Sequence, residues 1–331
     1  MSALSYPEAI LAGLLQGVSE LFPVSSLGHS VLVPALIGGK WAQDMNMAAP
    51  NSAYLDVLIA MHVATAIALV IFFWKDWVRI VGGLFTSIRY RRIETSDQRL
   101  AWLLIVATIP VGIAGLLLDK VVREDLGKPI PASLFLALNG AVLFGVERMQ
   151  RNRSSDDEFM AALRGPGNSE DETILMPALS TESDSEVTTP LRAVAGTVAV
   201  DARLAKLSWG EAIAIGSAQI LALLPGISRS GITIVGGLMR GLKHEDAARF
   251  AFLLATPVIA AAGLFKMPEL LRPEMHGSLG PALLGSLVAG VASYFSVRFL
   301  TNYFETRTLT PFAIYCLIGG IGCLAYFTLV K

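Results

Sequence analysis

Apolar residues fall in long blocks along this chain. The runs Leu55–Trp74, Leu100–Leu118, Pro131–Val146, Phe250–Leu271, Leu279–Leu300 and Leu309–Val330 approach or exceed the ~20 residues a helix needs to cross a hydrocarbon layer ~30 Å thick. They predict six membrane spans. Two further apolar segments, Glu8–Leu36 and Glu211–Gly241, are broken midway by Pro, Gly and polar residues. Irregular backbone at membrane depth is tolerated only where it is buried in protein or lines a cavity, so each is expected to enter the membrane and turn back. The expected fold is all-α and integral to the membrane, with six transmembrane helices plus two re-entrant helical hairpins.

Composition agrees with that reading. The 331 residues are 53% hydrophobic and 16% charged, with a mean hydropathy of +0.58, against about a quarter charged in soluble domains. The net charge of −1 carries no nucleic-acid footprint, so the expected surroundings are the bilayer, with room for a homo-oligomer. The first 39 residues contain neither Lys nor Arg, so no basic leader of a cleavable signal is expected. Cys316 and Cys323 lie in the last apolar run and read as packing residues.

Basic residues concentrate in cytoplasmic loops. Lys75, Arg79, Arg89, Arg91, Arg92 and Arg99 after the first span, and Arg148, Arg151 and Arg153 after the third, place those loops inside. Alternation then puts Arg240, Lys243 and Arg249, and likewise Arg298 and Arg307, inside as well. Both ends of Glu211–Gly241 are then cytoplasmic, and both ends of Glu8–Leu36 external. Between the halves, Ser154–Pro190 holds nine acidic residues against one Arg among Ser, Thr, Gly and Pro, the composition of a disordered cytoplasmic loop.

An internal repeat organises the rest. EAILAGLLQ from Glu8 matches EAIAIGSAQ from Glu211 at Glu, Ala, Ile, Gly and Gln, and a one-residue shift aligns PVSSLGH from Pro23 with PGISRSG from Pro225. Each half, 1–150 and 207–331 around an insert at 151–206, would be one hairpin plus three spans. An odd number of spans inverts the second half, the architecture that brings broken helices together near the midplane.

The polar residues of the two hairpins suggest chemistry. In QGVSELFPVSSLGH, Gln16 and Glu20 share a helix face, Pro23 ends that helix, and Ser25, Ser26 and His29 follow. An intramembrane carboxylate is a functional candidate by default. PGISRSGIT supplies Gly226, Ser228, Arg229, Ser230 and Thr233, and a helix N-terminus with an Arg fork suits a phosphate. Together they point to a phosphorylated, lipid-delivered substrate.

These two segments resemble the signatures of the undecaprenyl-diphosphate phosphatases, the bacitracin-resistance family of bacterial inner-membrane enzymes, and LIAMHVATAIAL around His62 fits the same pattern. The resemblance implies hydrolysis of undecaprenyl diphosphate to the monophosphate, recycling the lipid carrier for cell-wall synthesis, with a divalent cation, Mg²⁺ or Ca²⁺, and a site facing the outer side. It assigns catalysis to Glu20, Ser26, His29 and Arg229, and substrate binding to Ser25, Gly226, Ser228, Ser230 and Thr233. Ser26 is then the expected nucleophile with His29 as its base, with direct attack by water the open alternative. The metal falls to Glu20 and, weakly, to Gln16, where many members carry Glu; Asp56 or water could complete the coordination. Each residue also has a structural reading: Glu20 as a partner of Arg229, His29 as a turn residue, the serines as helix caps, Glu8 and Glu211 as helix-start carboxylates. The rival function is a flippase for the lipid monophosphate, which would need Arg229 but neither Ser26 nor His29.

Overall fold

The computed structural model describes residues 4–47, 49, 52–121, 126–164, 199–270 and 278–330, which contain helices and no strand. Six helices are long and apolar enough to cross a membrane: α4 (Ala53–Phe72), α6 (Ser96–Val121), α7 (Pro129–Arg164), α11 (His244–Leu270), α12 (Leu279–Thr306) and α13 (Thr310–Leu329). They coincide with the six apolar runs, and the protein is a multi-pass membrane protein.

The two broken segments fold alike. α1 (Tyr6–Ser19) gives way at a turn to α2 (Ser26–Ile37), and α9 (Trp209–Ala218) passes through a 3₁₀ turn, Gln219–Leu223, to α10 (Arg229–Met239). Glu8 accepts the backbone N–H of Ser5 at 2.8 Å, and Glu211 that of Ser208 at 2.8 Å. These carboxylates therefore satisfy helix-start donors, the second half of a capping box. The second helix of each segment is capped by serine, with Ser25 Oγ accepting Gly28 N–H and Ser228 Oγ accepting Gly231 N–H, both at 3.2 Å.

Packing follows the small residues. α1 lies on α12 and α9 on α6. A Cβ on Gly13 or Gly17 would fall 2.3 Å from the Gly285 carbonyl oxygen or 2.4 Å from that of Ala289. Gly13 and Gly17 thus form a small-x-x-x-small seam against Gly285 and Ala289, the device that lets helices approach where lipid competes for apolar contact. Polar contacts assist: Ser293 of α12 bonds Thr65 of α4 at 3.0 Å, deep in the bundle.

Two features depart from the sequence reading. The basic stretch after the first span is a helix, α5 (Trp74–Tyr90), preceded near the first hairpin by a short one, α3 (Gly39–Asp44). The insert assigned to 151–206 is also narrower than its composition indicates, because α7 continues to Arg164 and residues 199–204 are helical, α8. Val200 and Leu204 are buried there, and Asp201 meets Arg79 Nη2 at 2.6 Å and Arg249 Nε at 2.8 Å. The acidic stretch averages away these few anchoring positions. Residues 165–198, which hold most of the expected loop, lie outside the described residues.

Candidate active site

Glu20 is the hub of the site. It caps the C-terminus of α1, buried, and residues on four elements close around it. Arg229 at the start of α10 donates Nη2 to Oε1, and Ser26 at the start of α2 donates its hydroxyl to Oε2. Gln16 Nε2 approaches Oε2 at 2.9 Å and His62 Nε2 of α4 at 3.3 Å. Removing a carboxylate from water costs several kcal/mol unless such partners compensate, so Arg229 is the counter-charge that allows Glu20 to sit in the bundle. The pair ties the first hairpin to the second across 209 positions of sequence.

The turns are held by backbone contacts. Ser25 has φ +70°, uncommon for a residue other than glycine, and its Oγ accepts Gly226 N–H at 3.1 Å as well as that of Gly28. That conformation costs of order 1–3 kcal/mol and persists where surrounding contacts over-determine it. Gly226 has φ +117°, and a Cβ there would sit 2.5 Å from the Ala132 carbonyl oxygen, so only glycine fits. Ser228 and Ser230 both reach the Phe22 carbonyl, at 3.3 and 3.1 Å. Asn139 of α7 joins the two turns, donating to the Pro23 carbonyl at 3.1 Å and accepting Ser228 N–H at 3.0 Å.

His29 is placed differently from expectation. Its Nδ1 lies 2.6 Å from the Ser25 carbonyl, and its Nε2 lies 2.7 Å from the hydroxyl of Tyr315 on α13, with the two rings stacked at 5.8 Å. A carbonyl only accepts, so Nδ1 carries the proton and Nε2 accepts from Tyr315. The hydrogen bond of Ser26 therefore runs to Glu20, not to His29. Thr233 turns its hydroxyl back to the Arg229 carbonyl at 2.7 Å, inside α10, away from the cluster.

Among the described residues no group of three or more His, Cys, Asp or Glu side chains is placed to hold one ion. Asp56, buried in the first turn of α4, joins no such group. Gln16 Oε1 is the informative atom: it is buried and has no hydrogen-bond partner among the described residues. A buried acceptor in that state costs about 1–3 kcal/mol, and it suits a hard cation beside Glu20.

The family model described as bacitracin resistance protein BacA matches residues 9–165 and 182–322. The chain belongs to the BacA family. BacA-family relatives called undecaprenyl-diphosphatase include one from Mycolicibacterium paratuberculosis, 52% identical over 326 residues and 98% of both chains, and one from Mycobacterium avium with the same figures. Another, from Frankia casuarinae, is 48% identical over 370 residues and 99% of both chains.

Sequence reasoning missed two BacA-chain residues here, Asn139 and Tyr315. Asn139 was visible in principle, as a lone buried amide in an apolar span. Tyr315 was not, because aromatic residues are ordinary in membrane helices.

Proposed function

We propose that this chain hydrolyses undecaprenyl diphosphate to undecaprenyl phosphate and inorganic phosphate. The observation that carries the reading is the Ser26–Glu20–Arg229 chain at the meeting of two helix N-termini. A flippase has no use for a serine hydroxyl held against a carboxylate, so hydrolysis accounts for more of the site.

Ser26 Oγ attacks the terminal phosphorus in line and its proton passes to Glu20 Oε2. The bond from phosphorus to the bridging oxygen breaks, and the lipid monophosphate departs. Water then cleaves the serine phosphoester, with Glu20 returning the proton. Direct attack by water uses the same acceptor and omits the phosphoester. Arg229 and the α10 N-terminus neutralise the phosphoryl oxygens, where charge accumulates. His29, held by Tyr315, stands beside an apolar cavity of about 450 Å³ lined in part by Leu14, Val18, Phe22 and Phe312. That cavity is where the first prenyl units would lie, with His29 near the leaving phosphate.

A divalent cation would be held by Glu20 and Gln16 Oε1. Bound there, it would add positive charge against the leaving phosphate. The halves 1–150 and 207–331 are read as inverted repeats, supported by the paired caps and by α1 lying on α12 as α9 lies on α6. The basic residues beside α4 and α7 support a site opening outward from a bacterial inner membrane.

The test is phosphate release from undecaprenyl diphosphate by purified protein in detergent, with and without chelator. Release lost in Ser26→Ala and Arg229→Ala supports the reading. Transport of the monophosphate into vesicles with no phosphate release overturns it. Rapid quenching with labelled terminal phosphate separates the routes, since label on Ser26 marks the covalent one.

A further inference from the structure

We infer that α5 is a lipid-binding helix lying in the headgroup layer, and that its ligand is the surface of anionic phospholipids. The helix begins at Trp74, directly after α4 ends at Phe72, so it starts where a span leaves the hydrocarbon. It is not among the helices apolar enough to cross. Its contacts with α6 show that it does not run beside that span. Arg79 bonds Asp97, Gly83 abuts Asp97, and Ser87 accepts the indole N–H of Trp102. The contacts spread along α5 from Arg79 to Ser87 all fall at the start of α6, on Asp97 and Trp102. About 12 Å of α5 thus meets roughly one and a half turns of α6, so α5 crosses the end of α6.

The face left uncovered is built for an interface. At about 100° per residue, Trp74, Val78, Val81, Phe85 and Ile88 share an arc of roughly 80°, and they are 41% to 68% exposed. Ile80 and Ser87, on the opposite side, are buried. Lys75 and Arg89 line one edge of the apolar arc, with Lys75 over the Trp74 ring at 5.8 Å and Arg89 over Tyr90 at 5.9 Å. Arg91 and Arg92 follow at the C-terminus, all four cations exposed. The acid beside them, Glu94, pairs with Arg92 at 3.6 Å. An apolar stripe bordered by cations at the end of a span matches an anionic leaflet: acyl chains take the stripe and phosphates the cations. A purely apolar partner would leave the cations unexplained.

The experiment uses the full-length protein. In nanodiscs made with brominated acyl chains, quenching of tryptophan emission is expected to fall in W74F, because Trp74 sits among the chains. In native mass spectrometry of protein titrated with phosphatidylglycerol or phosphatidylcholine, the wild type should prefer the anionic lipid at low salt. The K75Q/R89Q/R91Q/R92Q variant should lose that preference, by about fivefold in affinity per charge removed. Three results would overturn the inference: an unchanged lipid preference in the quadruple variant, quenching unaffected by W74F, or disulfide cross-linking of two copies through F85C in nanodiscs, which would assign the face to a second chain.

Discussion

Glu20 has two oxygens with three donors and the His62 ring around them, so the site is sensitive to what each neighbour brings. Gln16→Glu removes the amide that donates to Glu20 and sets two carboxylates side by side. Without a cation the pair repels and the protein should melt at lower temperature than the wild type. With added Mg²⁺ or Ca²⁺ the order should reverse, since more carboxylate oxygens hold a hard cation more tightly. A thermal melt across a metal titration reads this directly, and an unmoved titration would remove Gln16 from the ion's neighbours. Arg229→Lys keeps a charge but loses the fork that can reach Glu20 and a phosphate together. Turnover should fall by about 10²-fold in the lysine variant and further in Arg229→Ala, as when one transition-state donor is lost. At His29 the tyrosine contact grades the effect. His29→Gln should lower turnover, because it removes the ring that stands beside the cavity and the leaving phosphate, whereas Tyr315→Phe, which keeps the stack, should cost less. Equal losses would mean that His29 serves only to hold α13.

At the scale of elements, the site depends on how closely α1 can approach α12. Both hairpin turns hang from helices whose glycines touch backbone on the neighbouring span, and α1 carries Glu20 at its end. Gly17→Leu should force α1 away from Ala289 and destabilise by about 1–3 kcal/mol or more, read as a lower melting temperature in detergent. Turnover should fall as well, because Ser26 and Arg229 would no longer meet one carboxylate. A variant that melts early but keeps full activity at low temperature would show that the turns are held independently, through Asn139. The sequence signalled these elements unevenly. Proline and the serines marked where each hairpin bends, while the seam of Gly13, Gly17, Gly285 and Ala289 belongs to two helices far apart in the chain. A span that is apolar all round carries no amphipathic stripe to say which side faces its partner.

Across the whole molecule, the two halves are also joined away from the site. Asp201 holds Arg79 of α5 and Arg249 of α11, and Arg249 also lies 3.1 Å from Asp76. Asp201→Ala would leave Arg249, itself buried, with a weaker share of negative charge. Breaking such a buried pair costs about 3 kcal/mol, so the variant should melt earlier while phosphate release at low temperature stays near normal. By contrast, replacing residues 165–198 with a flexible linker should leave both stability and activity close to wild type, because its composition does not support a packed core and the anchors Val200, Asp201 and Leu204 are kept. A large loss of activity in that variant at normal stability would assign the acidic segment a role in catalysis or control.

What the sequence by itself determined is what depends on local chemistry. A run of about twenty apolar residues has to cross or be buried, a proline followed by serines ends the first helix of each broken segment, and a serine before a helix caps it. The six spans, the two bends and the polar residues at the bends follow from those rules. The tertiary structure alone decided who meets whom. Ser26 meets Glu20 because α1 ends beside the start of α2, and Arg229 meets it because the second hairpin closes against the first. His29, three residues from Ser26, is drawn to Tyr315 on the last helix. Charge and hydrogen bonding act over a few ångströms in space, and in a bundle whose helices are apolar on every side that distance is set by packing.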